Sequence, residues 1–435
     1  EVTRGGAGQK VDGFVNYEPT EYFIGDTNSD DEVNGYKSRQ VFLEPASYTN
    51  GTATALTPFD ATEENAVAWK ALFDPNDPTS LTDEESLNLI KWGRGQDVLN
   101  NSTGPRSWLL ADSMHSRPFA LNYGLAGGYS KENPNIKLFL GTGDGLFHII
   151  ENTDTDGNET GREISAFYPR EMLPQVRRRM DDNISSYKMH YGMDGEPVVY
   201  TYDRNNDGSL DYTDGDKAHV YIGLRRGGNS YYALDVSNPE DPKMLWKISQ
   251  TSGGDFDELG MTFSTPVVGK IRYDGQSVDV LVFAGGYHGG WNADRTARIG
   301  KDLDDSDDPV GNAIYIVNAH TGALIWKAVQ GTTGTSSNTS YQHAGLVDSI
   351  PAGVTVLENL NGNIHRVYVG DTGGAIWRVD LPEGDGSNEN HRRDNWFITK
   401  LAELGTDGTT SDRRFFHSLD IVETFDDVGP FDGIV

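Results

Sequence analysis

From about residue 138 onward, short β-branched and aromatic runs alternate with glycine-bearing turns. Leu138–Ile150 has the pattern of a strand, a tight turn through Gly141-Thr-Gly-Asp-Gly145 and a second strand. The unit returns at Val220–Asp235, at Val280–Gly286 with Ala313–Val317, and at Val367–Asp380. Two copies run on into a tryptophan-bearing strand, Asn318–Trp326 and, after an insertion, Met244–Trp246. Paired short strands repeating at irregular spacing predict the blades of a β-propeller, with stacked β-sandwiches as the alternative.

Residues 1–95 lack this repeat. Turn-forming residues dominate up to about 60, and two helices are expected after them. The first spans Glu63 to Phe73. The second opens on the capping box Thr82-Asp-Glu-Glu85 and runs to about Trp92, before Gly93 and Gly95. We therefore expect a loop-and-helix region over 1–99 that caps or completes a propeller over 100–435. The stretch 171–190 reads as a further insert. Its Arg177-Arg178-Arg179 is the one basic spot of the chain, expected to be solvated or paired locally.

Charge narrows the partners. Lys and Arg total 36 against 66 Asp and Glu, a net charge of −30, which repels nucleic acid and anionic membrane surfaces and attracts cations. The absence of cysteine removes disulfides, thiolate chemistry and zinc-thiolate sites together. No apolar run approaches the ~20 residues that span a bilayer, so membrane insertion is not expected. No signal peptide is visible, but the chain begins at Glu1 rather than Met, and it stops just after a Gly/Pro-containing stretch. It reads as a mature or excised piece, with the natural protein expected to extend further at one or both ends.

The clearest chemistry lies at 203–211, Asp-Arg-Asn-Asn-Asp-Gly-Ser-Leu-Asp. Oxygen-bearing groups fall at every second position. Asp203, Asn205, Asp207 and Asp211 offer side-chain oxygens and Ser209 its main-chain carbonyl, close to the six to eight oxygens that Ca2+ takes. Gly208 sits sixth, where an EF-hand-type loop bends sharply. The flanks Glu196–Tyr202 and His219–Gly223 have strand composition, so the loop joins two strands rather than two helices. The twelfth position is Asp214, shorter than the usual bidentate Glu. Asp211 is expected to close a compact site, with Asp214 an outer or absent ligand. The plain alternative is a solvated Asx-rich turn.

Residues 316–326 resemble the quinoprotein-type blade signature, Ala/Asn-x-Asp/Asn-x-x-Thr-Gly-x-x-x-Trp. That likeness implies an all-β, quinoprotein-like β-propeller with loop and short-helix inserts, in which Trp246 and Trp326 dock between blades. More broadly, the chain resembles the C-terminal propeller of PilY/PilC-type type IV pilus biogenesis factors and tip adhesins. The likeness rests on Arg106–Pro118, Phe139–His148 with Ala166–Pro169, Glu258–Val268 and Arg413–His417. The family's Asp-x-Asn-x-Asp-x-x-x-Asp loop falls here on Asp203, Asn205, Asp207 and Asp211. By resemblance, calcium tunes pilus extension against retraction, and roles in surface adhesion or twitching motility follow. The implied partners are the minor pilins of the pilus tip complex, with a host or abiotic surface beyond them. The implied location is the cell surface at the pilus tip, with the periplasm or outer membrane as alternatives. Family members commonly carry an N-terminal von Willebrand A-like domain that this chain lacks.

An enzyme is the competing class, because quinoprotein-type dehydrogenases share the blade repeat. They require a quinone, a calcium beside it and a carboxylate base, whereas the loop here is a contiguous cage with few positions left for a cofactor. The ten histidines are scattered, with no His-x-x-x-His or Gly-x-Ser-x-Gly setting. No catalytic or cofactor-binding residue is therefore expected. Asp26–Asp30, Asp154–Asn158 and Asp302–Asp308 are weaker candidates for further calcium sites, and charge runs of this kind are usually solvated.

Overall fold

The computed structural model describes residues 39–100, 106, 109–181, 191–290, 299–301, 306–382, 393–406, 412–426 and 428–435. Asp26–Asp30, most of Asp302–Asp308, His190, Trp291 and His391 lie outside them. The chain divides into two compact units. One runs to Val220 and takes in Ala233–Met244; the other comprises Tyr221–Tyr232 and Leu245–Val435.

In the first unit, β1 (Val41–Leu43), β2 (Thr54–Ala55) and β3 (Thr57–Pro58) precede the helices α1 (Glu63–Ala68), α2 (Lys70–Phe73) and α3 (Asp83–Arg94). The expected helix over Glu63–Phe73 is interrupted at Trp69, whose φ of −105° and ψ of 5° leave the helical basin. The α3 helix follows its sequence signals closely. Thr82 accepts from the Glu85 N–H while the Glu85 carboxylate accepts from the Thr82 N–H, and Gly95 ends the helix in the left-handed region. Phe59 stacks on Trp69 at 5.3 Å and tilts against Tyr168 at 5.2 Å, so the helices and the sheet share aromatic contacts.

The strands β4 (Phe119–Asn122), β5 (Ile136–Gly141), β6 (Phe147–Glu151) and β7 (Glu163–Tyr168) form an antiparallel meander. Every residue of β6 and β7 is buried, as expected of strands covered on both faces. Residues before 60 do more than loop: β1 lies parallel to β7, β3 pairs with β1, and β2 pairs with a later strand in a second sheet. Helix α4 (Leu173–Met180) carries the arginine run. Its Arg177 is bound to Asp74, far away in sequence, and Arg179 lies 3.7 Å from Asp112. Arg177 Nε also lies 3.8 Å from Asp181 one turn on, so the expected local pairing is present and is joined by these distant partners, a placement that brings α4 against the N-terminal helices.

The second sheet has the order β2-β11-β10-β9-β8, from β8 (Val198–Tyr202), β9 (Lys217–Gly223), β10 (Ser230–Asp235) and β11 (Lys243–Ser249). In the second unit, β12 (Val267–Tyr273), β13 (Gln276–Ala284), β14 (Ala313–Asn318) and β15 (Leu324–Gln330) form a meander, and β16 (Ser340–His343) lies parallel to β15. A further meander follows: β17 (Thr355–Glu358), β18 (Ile364–Gly370), β19 (Ala375–Asp380) and β20 (Phe397–Glu403). A hairpin of β21 (Ile421–Phe425) and β22 (Pro430–Ile434) ends the chain. Val282, Ile316, Trp326, Val369, Trp377 and Trp396 belong to one buried cluster between the two meanders. Burial of each such side chain contributes about 1.5–3 kcal/mol.

Candidate metal centre

The loop 203–216 joins β8 to β9, which are neighbours in their sheet. Its backbone is folded by its own side chains. The Gly208 N–H donates to Asp203 Oδ2 at 2.8 Å, Asp207 N–H to Asn205 Oδ1 at 3.1 Å, and Ser209 N–H to Asp207 Oδ1 at 2.8 Å. The last two are successive Asx turns, each spending one side-chain oxygen on the N–H two residues on, while the Asp203 oxygen reaches the N–H five residues on. Asn206 and Gly208 take φ of 55° and 82°, conformations that Asn and Gly adopt readily.

Two braces anchor the loop. The first is Asp216, which is buried and accepts from the Arg204 N–H at 2.9 Å and from the Asp211 N–H at 2.8 Å, tying the start of the loop to its end. The second is the segment 123–125. Leu210 N–H donates to the Tyr123 carbonyl at 3.0 Å, and Leu125 N–H donates to Ser209 Oγ at 3.1 Å. A Cβ on Gly124 would come within 2.6 Å of the Gly208 carbonyl oxygen, so only glycine permits this approach. Both braces escaped sequence reasoning. Asp216 lies beyond the alternating pattern, and Gly124 lies in the turn after β4, far away in sequence.

Asp203 bears on whether the residues fit a cation. Its Oδ2 holds Gly208, while its Oδ1 is shielded from solvent and has no hydrogen-bond partner among the described residues. A buried carboxylate oxygen without a donor is costly, and a hard cation satisfies it. Asp207 binds Asn205 Nδ2 through Oδ2, and Asp211 caps the following turn, its Oδ1 accepting from Thr213 N–H at 2.9 Å and Thr213 Oγ1 at 2.7 Å. The Thr213 bonds hold the Asp211 carboxyl below the usual range. Among the described residues no three His, Asp or Glu side chains are gathered around one metal position. Each of these carboxylates is held by an N–H donor of the loop, and Asp207 and Asp211 would have to turn inward to share an ion. Asp214 donates its N–H to the Asp211 carbonyl within the turn. The donor set suits calcium, and Asp203 is the member already aimed inward.

In the described parts of the weaker acidic stretches, carboxylates are engaged by other donors. Asp154 Oδ1 accepts from the Asp156 and Asn158 N–H groups at 3.0 and 2.9 Å. Asp308 accepts from Lys301 N–H and Ser349 N–H and lies 3.2 Å from His288 Nδ1. A second polar cluster was not foreseen. His148 bridges Glu163 (Nδ1 to Oε1, 2.6 Å) and Thr142 (Nε2 to Oγ1, 3.0 Å), and Arg39 binds Glu163 from the other side. The order of hydroxyl, imidazole and carboxylate is that of a hydrolase, but His148 is 0% and Thr142 1% exposed. A hydroxyl sealed in this way meets no substrate.

Residues 118–401, more than half of the chain, match the family model of the PilY1 beta-propeller domain. The chain belongs to that family. The matched span contains the 203–211 loop and the β4–β19 meanders, while Arg413–His417 lies outside it. The fold is therefore the β-propeller of the PilY1 family. Type IV pilus biogenesis factor PilY1 of Pseudomonas aeruginosa (strain PAK) is 26% identical over 330 residues, covering 72% of this chain and 24% of that protein. A PilY1 homolog of Xylella fastidiosa (strain Temecula1 / ATCC 700964) is 28% identical over 322 residues, 69% of this chain and 22% of its own length. The PilY1-family chain thus spans about a quarter of the length of these curated relatives. The crystal structure of the P. aeruginosa PilY1 C-terminal domain aligns at a TM-score of 0.41 and 21% identity, over 66% of this chain and 50% of that one.

Proposed function

We propose that this PilY1-type propeller is a non-catalytic, calcium-binding component of the type IV pilus machinery. In this reading it acts at the cell surface with the minor pilins of the pilus tip, in pilus extension and retraction and in the adhesion or motility that depend on them. The observation that carries it is Asp203, with one oxygen fastening the loop and the other shielded and unpartnered. The ligands are Asp203, Asn205, Asp207, the Ser209 carbonyl and Asp211. When bound, calcium supplies a charge that holds these oxygens together. The protein's own part is to brace the loop ends through Asp216 and to dock the loop on Gly124. Tyr202 and Tyr212, about half exposed, flank the loop and give a partner aromatic surface that the ordered loop would position.

Calcium titration calorimetry on the chain, run beside Asp203→Ala and Asp207→Ala, tests the metal. One saturable site lost in both variants supports the reading. Absence of heat at millimolar calcium reduces the loop to a set of Asx turns. Co-purification of minor pilins with and without chelator then tests the coupling, which fails if recovery is the same in both.

A further inference from the structure

Beside the loop, within the first unit, lies an open cavity of about 590 Å3. This is within the range of small-molecule sites, about 300–1,000 Å3. Its floor is built from cross-strand partners: Lys137 on β5 faces Glu151 on β6 in the ladder. Lys137 Nζ lies 3.2 Å from both Glu151 Oε1 and the Tyr129 hydroxyl, and Glu151 Oε2 accepts from Thr160 Oγ1 at 3.0 Å. Both charged side chains are more than nine-tenths buried. Burial alone would push the Glu151 carboxyl up, but Lys137 and Arg162 hold it below its usual value. The floor is thus a rigid, charge-compensated set of donors and acceptors.

The walls carry groups with spare valences. Arg162 reaches Glu151 only through Nε, at 3.5 Å, and its terminal nitrogens have no partner among the described residues. Asn238 uses its Oδ1 on the Glu240 N–H, leaving its amide N–H2 without a partner there. Tyr212, at the end of the loop, lines the cavity and is 54% exposed.

We propose that this cavity binds a neutral saccharide. Two lining cations face four lining carboxylates (Glu151, Asp154, Asp211 and Glu240), so an anionic ligand is repelled. A cationic side chain would meet Lys137 and Arg162 inside. An apolar ligand would strip water from Arg162 and Asn238 without replacing their hydrogen bonds. A ring of hydroxyls matches both signs at once, because each hydroxyl donates and accepts. The Tyr212 ring supplies a face for the sugar's C–H surface. The polar floor and walls do not rest on the calcium reading, since Lys137, Glu151, Arg162 and Asn238 lie outside the loop; of the groups invoked here, only Asp211 and Tyr212 are shared with it.

The test is saturation-transfer NMR on the chain with glucose, galactose, mannose, N-acetylglucosamine and their disaccharides, followed by titration. At least one sugar is expected to bind saturably. Arg162→Ala and Tyr212→Ala should each weaken it at least tenfold, with the thermal midpoint unchanged and calcium heats intact in Arg162→Ala. No saturation transfer from any probe overturns the proposal. So does sugar binding that survives both variants, or saturable binding of a lysine-rich peptide in place of every sugar. Loss of calcium binding in Asp207→Ala with sugar binding retained would separate the two sites.

Discussion

Trp246 donates its indole N–H to the Ala319 carbonyl at 2.9 Å, and the ring lies against Gly322 three residues on. The tryptophan that ends one repeat is thereby locked onto the Asn-Ala-His-Thr-Gly turn of the next. Tyr221 stacks on the same indole at 5.6 Å. The docking role expected of the repeat's tryptophan is met at Trp246 by a hydrogen bond and a ring contact together.

Gly322 is the sensitive partner in that contact. Its φ is +67°, and a Cβ would sit 2.9 Å from the Trp246 ring. Gly322→Ala combines a left-handed backbone with a clash against a fully buried indole, and should cost about 1–3 kcal/mol. Urea unfolding checks this; an unchanged midpoint would mean that the turn relaxes without loss.

Asp216→Ala should weaken calcium binding although Asp216 is not a proposed ligand. It leaves the N–H groups of Arg204 and Asp211 without their acceptor, a loss of about 1–3 kcal/mol if they stay dry. Asp214→Ala should leave the calorimetric affinity nearly unchanged. Equal losses in the two variants would instead make Asp214 a ligand.

Acid stability should depend on Glu163. Burial would raise its carboxyl, but Arg39 and His148 overcome this and lower it from 4.5 to about 2. A depressed carboxylate contributes stability that is full above about pH 4.5 and is lost as pH falls towards 2. Glu163→Gln leaves Arg39 buried without a counter-charge and should cost about 3–5 kcal/mol at neutral pH. The measurement is the unfolding midpoint of both proteins between pH 2 and 7. The wild type should show the steeper acid loss.

Asp348 and Asp371 act with the opposite sign. Burial, then the Asp371 and Asp308 charges, raises Asp348 from 3.8 to about 7, and burial raises Asp371 to about 6. Groups raised in the folded state contribute stability that is full below 3.8 and is lost as pH climbs through those values. Asp348→Asn should therefore stabilise the chain more at pH 8 than at pH 4, as read from paired urea titrations. Equal shifts at the two pH values would sink this assignment.

Local signals were legible wherever the chain interacts with itself over a few residues. Thr82 and Glu85 announce their helix because a capping box closes within one turn. The alternating oxygens of 203–211 announce a folded loop because Asx turns span two residues. Strands over Ile136–Gly141, Ala313–Asn318 and Ala375–Asp380 follow from β-branched runs bounded by glycine turns. The distant partners of Arg39 and Arg177 carry no such signal. Glu163 lies 124 residues from Arg39 and Asp74 lies 103 from Arg177, and a charge in sequence does not name its counter-charge at that distance.

By itself, then, the sequence determined the repeat of paired strands, the capped helix and the spacing of oxygens that suits a hard cation, all consequences of short-range geometry and composition. Only the tertiary structure decided that β1 joins β7, that Gly124 and Asp216 brace the loop, and that one oxygen of Asp203 is left shielded without a donor. These depend on which distant surfaces exclude water from one another, and burial is a property of the packed chain rather than of any segment within it.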